Sequence, residues 1–301
     1  MPNSQQANSD LIEKVNNTKL WVENELPSLP LSTHNDFMNA TVEACKNLRI
    51  LFLFGISLDS IQNGKPQDGF TKEQAPIVGL MVRIWKLYDM MCYHVSQNHG
   101  EISSMFIRPI YEAYIKVMYL IANPTSYESF IRTSYKSDIE MYKDLKPKEE
   151  EGSLDQAGTK ILRRIESLMD RDNLDIEELL QINHSGWRFD GKDFRTISKE
   201  ILPDNFYTFI FSNSSSFIHG DWRDIRKSHL AEENRRYYPD PETDPVDPRY
   251  ILPISIIIIK ALSAYTHWAS TDPDNFMEDI LVKAEEGIRY IDEKFEAQRT
   301  D

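Results

Sequence analysis

The sequence predicts an all-α protein: a single multi-helix, bundle-like domain with a long Pro- and acid-rich surface loop. Three observations carry that expectation. Glycine supplies only 11 of 301 residues, roughly half its usual share, which argues against a sandwich of glycine-turned strands. Apolar residues recur at three-, four- and seven-residue steps over long stretches, the period of a helix face. Prolines gather in a few segments such as PSLPLST and PDPETDPVDP, where they break helices rather than interrupt strands.

Taken in order, a first helix is expected over residues 10–26, with Leu11, Val15, Leu20 and Trp21 near one face. PSLPLST breaks it, and Asn35 or Asp36 offers a cap for the next. That helix runs to about Ile61 and is almost wholly apolar near Phe52 and Phe54, so it should lie deep. The turn NGKPQDG ends it. A helix over about 72–98 aligns Val78, Val82, Trp85 and Cys92 on one stripe. Asp89 shares that stripe, so it either meets a partner or marks where the face reaches water. A helix over about 101–122 is stopped by Asn123-Pro124. Another over roughly 125–145 gives way to KPKEEEGS, read as a solvated loop. Residues 155–181 form one long or two short amphipathic helices, and NHSGWRFDGKDF is turn-rich. Helix resumes near Phe194 and again from about Asp204 to His219. RRYYPDPETDPVDPR, with four prolines between Pro239 and Pro248, is expected as an exposed loop. Two closing helices cover about 250–270 and 273–297. The run Ile256 to Ile259 favours strand by propensity, but its length and flanks favour helix. With no internal repeat, residues 1–301 read as one helical domain. Its parts are a flexible tail (1–9), N-terminal helices (10–70), a helical core (71–270) and a C-terminal helix (271–301).

Charge and motifs then narrow the function. The 34 Lys and Arg stand against 48 Asp and Glu, a net charge of −14, which disfavours non-specific coating of nucleic acid. MPNSQQANSD has neither the basic nor the apolar region of a signal peptide. Cys45 and Cys92 sit in apolar stretches and read as small buried hydrophobes. YILPISIIIIKALSAYTHWAS is long enough to span a membrane, but Lys260 at its centre would be costly there, so a buried core helix is expected. The expected location is cytoplasmic, with no membrane contact. No phosphate-binding loop, dinucleotide fingerprint, HExxH or paired CxxC occurs. No cofactor and no metal site is therefore expected.

Two segments hold the unusual polar residues. In MFIRPIYEAYIKVMYLIANP, Arg108 and Glu112 are four apart, on one face of an apolar helix. Charges on such a face need pairing; the pair is either a structural salt bridge or a fork that orients a phosphate or carboxylate. Pro109 puts Arg108 at a bend or in a first turn. In NFYTFIFSNSSSFIHGDWRDIRKSHL, Tyr207, Phe211, Ser215 and His219 follow four-residue steps, and Gly220 ends the helix. His219 suits acid–base work or a capping role. Between Arg223 and Arg236 five basic residues face three acids, and Trp222, Tyr237 and Tyr238 offer rings on which bases could stack. HSGWRFDGKDFR adds His184, Trp187, Arg188 and Arg195 without a mechanism.

The pattern of Arg108 and Glu112, followed about a hundred residues on by Tyr207, Ser215 and His219, resembles an uncharacterised helical domain-of-unknown-function family of bacteria. The likeness covers roughly residues 75–270. Members are discussed alongside abortive-infection and phage-defence genes. Some are similar to the higher-eukaryote-and-prokaryote nucleotide-binding (HEPN) superfamily, whose active members are metal-independent ribonucleases working as dimers. That superfamily's signature is Arg, usually a polar residue next, then His after four to six intervening positions. Arg223-Asp224-Ile225-Arg226-Lys227-Ser228-His229 fits it. The resemblance thus implies a defence effector acting on RNA or a nucleotide, with a homodimer as its working form. Arg108, Glu112, His219, Arg223 and His229 are the candidate catalytic residues, and Tyr207, Ser215, Trp222 and Arg226 the candidate substrate contacts. Two alternatives stand beside it: a non-catalytic helical sensor or protein-binding module of a defence system, and a metal-dependent hydrolase using Glu112, His219 and Asp221.

Overall fold

The first long helix begins where Thr33 and Asp36 close a capping box. In a computed structural model of the chain, describing residues 13, 26–182, 188–203, 207, 208, 210 and 222–298, the Asp36 amide donates to the Thr33 hydroxyl at 3.2 Å. The Asp36 carboxylate accepts the Thr33 amide at 2.8 Å in return. The cap is therefore Thr33, with Asp36 as its reciprocal partner, and Asn35 takes no part. Helix α1 runs His34–Ser57. A hairpin of two-residue strands, β1 (Ile61–Gln62) and β2 (Lys65–Pro66), closes the NGKPQDG turn. Then come α2 (Ala75–Ser96), the short α3 (Gly100–Ser104) and α4 (Ile107–Ala122). The helix expected over 10–26 falls almost wholly outside the described residues.

The chain is all-α in architecture. The second half supplies α11 (Pro248–Ala269) and α12 (Phe276–Ala297). Helix α11 packs on α1, α2, α4 and α12, while α1 packs on α2 and α12. Leu48, Phe52, Ile84, Tyr88, Ile110 and Ile258 meet in the resulting core, each fully or almost fully buried. The isoleucine run lies in α11 as a helix, and Lys260 is on its exposed side. By length and composition α11 could cross a membrane, yet 61% of its apolar window is buried inside the fold. On α2 the buried face centres on Ile84 and Tyr88; Val78, Val82 and Trp85 form its half-buried edge. Asp89 on that edge pairs with Arg49 of α1 at 2.9 Å while a third of its side chain stays exposed.

Both cysteines are free and buried, and they border a small polar knot. Ser255 donates to the Ile251 carbonyl at 3.1 Å, so the 2.9 Å contact with Tyr88 is the phenol donating to Ser255. Burial raises the ionisation of Tyr88 and Cys92 well above their usual ranges, which keeps both neutral.

Between α4 and α11 the chain forms α5 (Tyr127–Ser134), α6 (Lys136–Glu150), α7 (Gln156–Arg171), α8 (Ile176–Leu180), α9 (Phe194–Ile201) and α10 (Trp222–Ser228). Helices α6, α7 and α8 gather a second, smaller core from Ile139, Tyr142, Leu162, Ile165, Met169 and Leu179. The KPKEEEGS segment departs from expectation: α6 continues through Pro147 to Glu150. One of its three acids is paired, while Glu150 and Glu151 are exposed. Glu149 meets Lys146 at 2.8 Å and Arg163 at 2.7 Å, and Glu166 of α7 meets Arg163 at 2.7 Å.

The stretch expected as one exposed Pro-rich loop divides in two. Its first part is strand β4 (Arg236–Pro239), paired antiparallel with β3 (Leu230–Glu233). Asn234 and Arg235, both at positive φ, make the tight turn. The rest straps down across the start of α3: the Gly100 amide donates to the Asp244 carbonyl at 2.7 Å, and the Val246 amide to Asn98 Oδ1 at 3.0 Å. Val246 is buried.

Gly100 is required by this contact, because a Cβ there would collide with the Pro245 carbonyl oxygen. Gly100→Ala is expected to destabilise the chain by about 1–3 kcal/mol through this overpacking, seen as a lowered denaturant midpoint. An unchanged midpoint would show that the strap does not press on Gly100.

Candidate functional site

Asp224 lies in the first turn of α10, and His229 follows that helix directly. Because α10 packs its inner side against the fold, Asp224 keeps only 5% of its side chain exposed while His229 keeps 47%. Asp224 Oδ2 lies 3.7 Å from His229 Nε2. A buried carboxylate thus lies beside a half-exposed imidazole, close enough for an ion pair when the ring is protonated.

The strap and the hairpin hold this pair in place. Asp244 accepts the Ser228 hydroxyl at 2.6 Å and lies 3.7 Å from Lys227. The Asp240 amide donates to the His229 carbonyl at 3.0 Å. Arg226 pairs with Glu232 of β3 at 2.8 Å. Glu101, at the start of α3, has a buried carboxylate oxygen without a hydrogen bond among the described residues. Burial raises its pKa, the His229 charge pulls it back down, and Asp244 and Asp224 push it up again. Beside α10 stand three exposed rings, Trp222, Tyr237 and Tyr238, with Trp222 edge-on to Tyr237 at 5.6 Å. Arg223 is exposed on the same helix.

A second grouping forms at the start of α4. The preceding helix breaks at Met105 and Phe106, so Pro109 is the third residue of α4, where an absent amide proton costs nothing. Arg108 therefore occupies a first turn. Its Nε donates to Glu112 Oε1 at 3.0 Å, and both side chains are about a quarter to a third exposed. They line a cavity of about 510 Å³ with Lys116, Arg188, Lys192 and Tyr207. Tyr207 lies 6.5 Å from the Phe194 ring, with the Arg195 guanidinium 5.9 Å from its own ring centroid.

The structure therefore assembles the sequence-derived candidates as two groups. Arg108, Glu112 and Tyr207 share the cavity; Trp222, Arg223, Arg226 and His229 share α10 and the residues at its ends. Ser215, His219, Asp221, His184 and Trp187 lie outside the described residues. Among the described residues no cluster of three or more His, Cys, Asp or Glu side chains is placed to hold a metal ion. Sequence reasoning missed Glu101, whose carboxyl feels the His229 charge, and Asp244, which holds the adjacent Ser228; both come to α10 only through tertiary packing. It also missed Lys116, although its spacing of four from Glu112 and eight from Arg108 puts all three on one helical face.

Residues 74–237 match a family of unknown function, DUF5677. The chain belongs to this family. No curated protein and no solved structure matches the chain. The DUF5677 segment runs from the start of α2 into β4, so it contains both groupings. Helices α1, α11 and α12, which complete the main core, lie outside it.

Glu101 yields a pH test. A carboxyl whose folded-state pKa is raised contributes stability below its ordinary value of 4.5 and loses it as pH rises through the folded-state value. Glu101→Gln is therefore expected to raise the denaturant midpoint at pH 7, with the advantage shrinking as pH falls through the raised folded-state value toward 4.5 and vanishing below it. An advantage that did not change with pH would exclude the burial of this charge as its cause.

Proposed function

We propose that α10 and the β3–β4 hairpin form the centre of a metal-independent ribonuclease of the HEPN kind, acting on single-stranded RNA. The observation that carries this reading is the Asp224–His229 pair at 3.7 Å, buried on the carboxylate side and open on the imidazole side. It falls within the R-x5-H stretch that the resemblance picks out. Cleavage without a metal needs a proton acceptor for the 2′-hydroxyl, a proton donor for the leaving 5′-oxygen and a cation for the charge on phosphorus. His229 serves the proton transfers, oriented by Asp224. Arg223 faces the phosphate. As the 2′-oxygen bonds to phosphorus the P–O5′ bond breaks, leaving a 2′,3′-cyclic phosphate and a 5′-hydroxyl. Trp222, Tyr237 and Tyr238 supply the rings on which unpaired bases stack. The cytoplasm and an abortive-infection type of defence are the setting that the resemblance adds.

The three exposed rings also favour a second reading, a non-catalytic module that docks a protein partner, since exposed aromatics anchor interfaces. Substitution of histidine separates the two. The purified chain is expected to cleave single-stranded RNA equally well with and without chelator, and His229→Ala to lower the rate about 10²–10⁴-fold. His219→Ala, run in parallel, identifies any second histidine in the reaction. Cleavage by the His219→Ala/His229→Ala double variant, or dependence on a divalent metal, would overturn the proposal.

A further inference from the structure

Another cavity, of about 420 Å³, lies where the two cores meet, away from both groupings described above. One wall is α5, which carries Glu128 and Arg132 and leans on the main core through Tyr127 and Phe130. The other is Asp172, the turn after it and Glu178 of α8, set on the second core by Leu174 and Leu179. Lys72, just before α2, reaches across and donates to the Asp172 carbonyl at 2.8 Å. The volume falls in the range of small-molecule sites.

Charges of both signs line this cavity, yet they do not pair with one another. Arg132 is the informative member. It is half-buried, its Nε is shut away from water without a hydrogen bond, and among the described residues it makes no ion pair within 4.0 Å. A buried donor left in that state costs about 1–3 kcal/mol. Glu178 likewise makes no hydrogen bond or ion pair among the described residues, and it is exposed to the cavity mouth. The other charges are engaged. Lys72 is spent on the Asp172 carbonyl, the Asp172 carboxylate accepts the Tyr135 hydroxyl, and Glu128 accepts the Tyr127 hydroxyl at 3.0 Å.

We infer that this cavity binds an α-amino acid as its zwitterion, the carboxylate on Arg132 and the ammonium on Glu178. A carboxylate matches the guanidinium fork with two parallel hydrogen bonds. A simple anion would gain that contact but would also face the carboxylates of Glu128, Asp172 and Glu178. A simple amine would gain Glu178 but face Arg132 and Lys72. Only a ligand that carries both charges satisfies both free groups. The bound zwitterion spans α5 and α8, so it ties the second core to the first. The inference does not depend on RNA cleavage by His229, and its test reads binding and amide exchange rather than turnover.

The test is calorimetric titration of the full chain with each of the standard L-amino acids, beside succinate and putrescine. At least one amino acid is expected to bind about tenfold or more tightly than either control. Arg132→Gln is expected to weaken that amino acid about tenfold or more. Glu178→Gln, at an exposed position that leaves both cores untouched, should weaken it in the same direction. Saturation with that amino acid should slow hydrogen exchange in α6, α7 and α8 of the original chain. His229→Ala should leave the affinity unchanged, which separates this site from the proposed cleavage centre. Absence of binding by every amino acid, succinate or putrescine binding as tightly as the best of them, or full affinity in both Arg132→Gln and Glu178→Gln would overturn the inference.

Discussion

A helix with apolar residues on most of its circumference has no face to turn to water, so it is stable in a soluble fold only when other helices surround it. Helix α11 imposes that constraint here. It draws α1, α2, α4 and α12 around itself, and the closeness of the packing is visible at Gly55. A Cβ at that position of α1 would come within 2.6 Å of Leu262 Cδ1. Ser255 adds direction to an otherwise apolar contact, because it accepts from Tyr88 of α2 while donating within α11. With α2 fixed, α4 can pack only with Ile110, Tyr114 and Val117 inward. The opposite edge, carrying Arg108, Glu112 and Lys116, is left to line a cavity.

The helical architecture was legible in the sequence because it depends on periodicity and on chain breakers, both local properties. The identity of α11 as a core helix followed from Lys260, whose charge needs one exposed edge and has it. Two readings failed where long-range pairing outweighed local character. The Glu149 segment looked solvated because its partner Arg163 is on another helix. The β3–β4 hairpin turns on Asn234 and Arg235 without glycine, so no strong turn signal marked it. On α2 the expected stripe does meet the core through Val78, Trp85 and Cys92, and its deepest line, through Ile84 and Tyr88, is set by where α1 and α4 press.

The candidate sites were half legible for the same reason. Helical spacing gave Arg108 with Glu112, and the signature of the resembled superfamily gave Arg223 with His229, each pair sitting on one short segment. Glu101, from a different helix, feels the His229 charge, and Asp244, from the strap, holds the neighbouring Ser228; nothing local announces either. The DUF5677 match has a related physical consequence. It carries both groupings but excludes α1, α11 and α12, so the matched segment alone would leave the inner faces of α2 and α4 uncovered.

The second core, under α6, α7 and α8, differs from the first in scale. Six buried residues and one network of ion pairs hold it, against the many that surround α11. Opening a unit of that size exposes far less apolar surface than unfolding the whole chain, so it costs a fraction of the global free energy. These three helices are therefore expected to open as a separate cooperative unit. Such an opening would let their amides exchange with solvent while the main core stays closed.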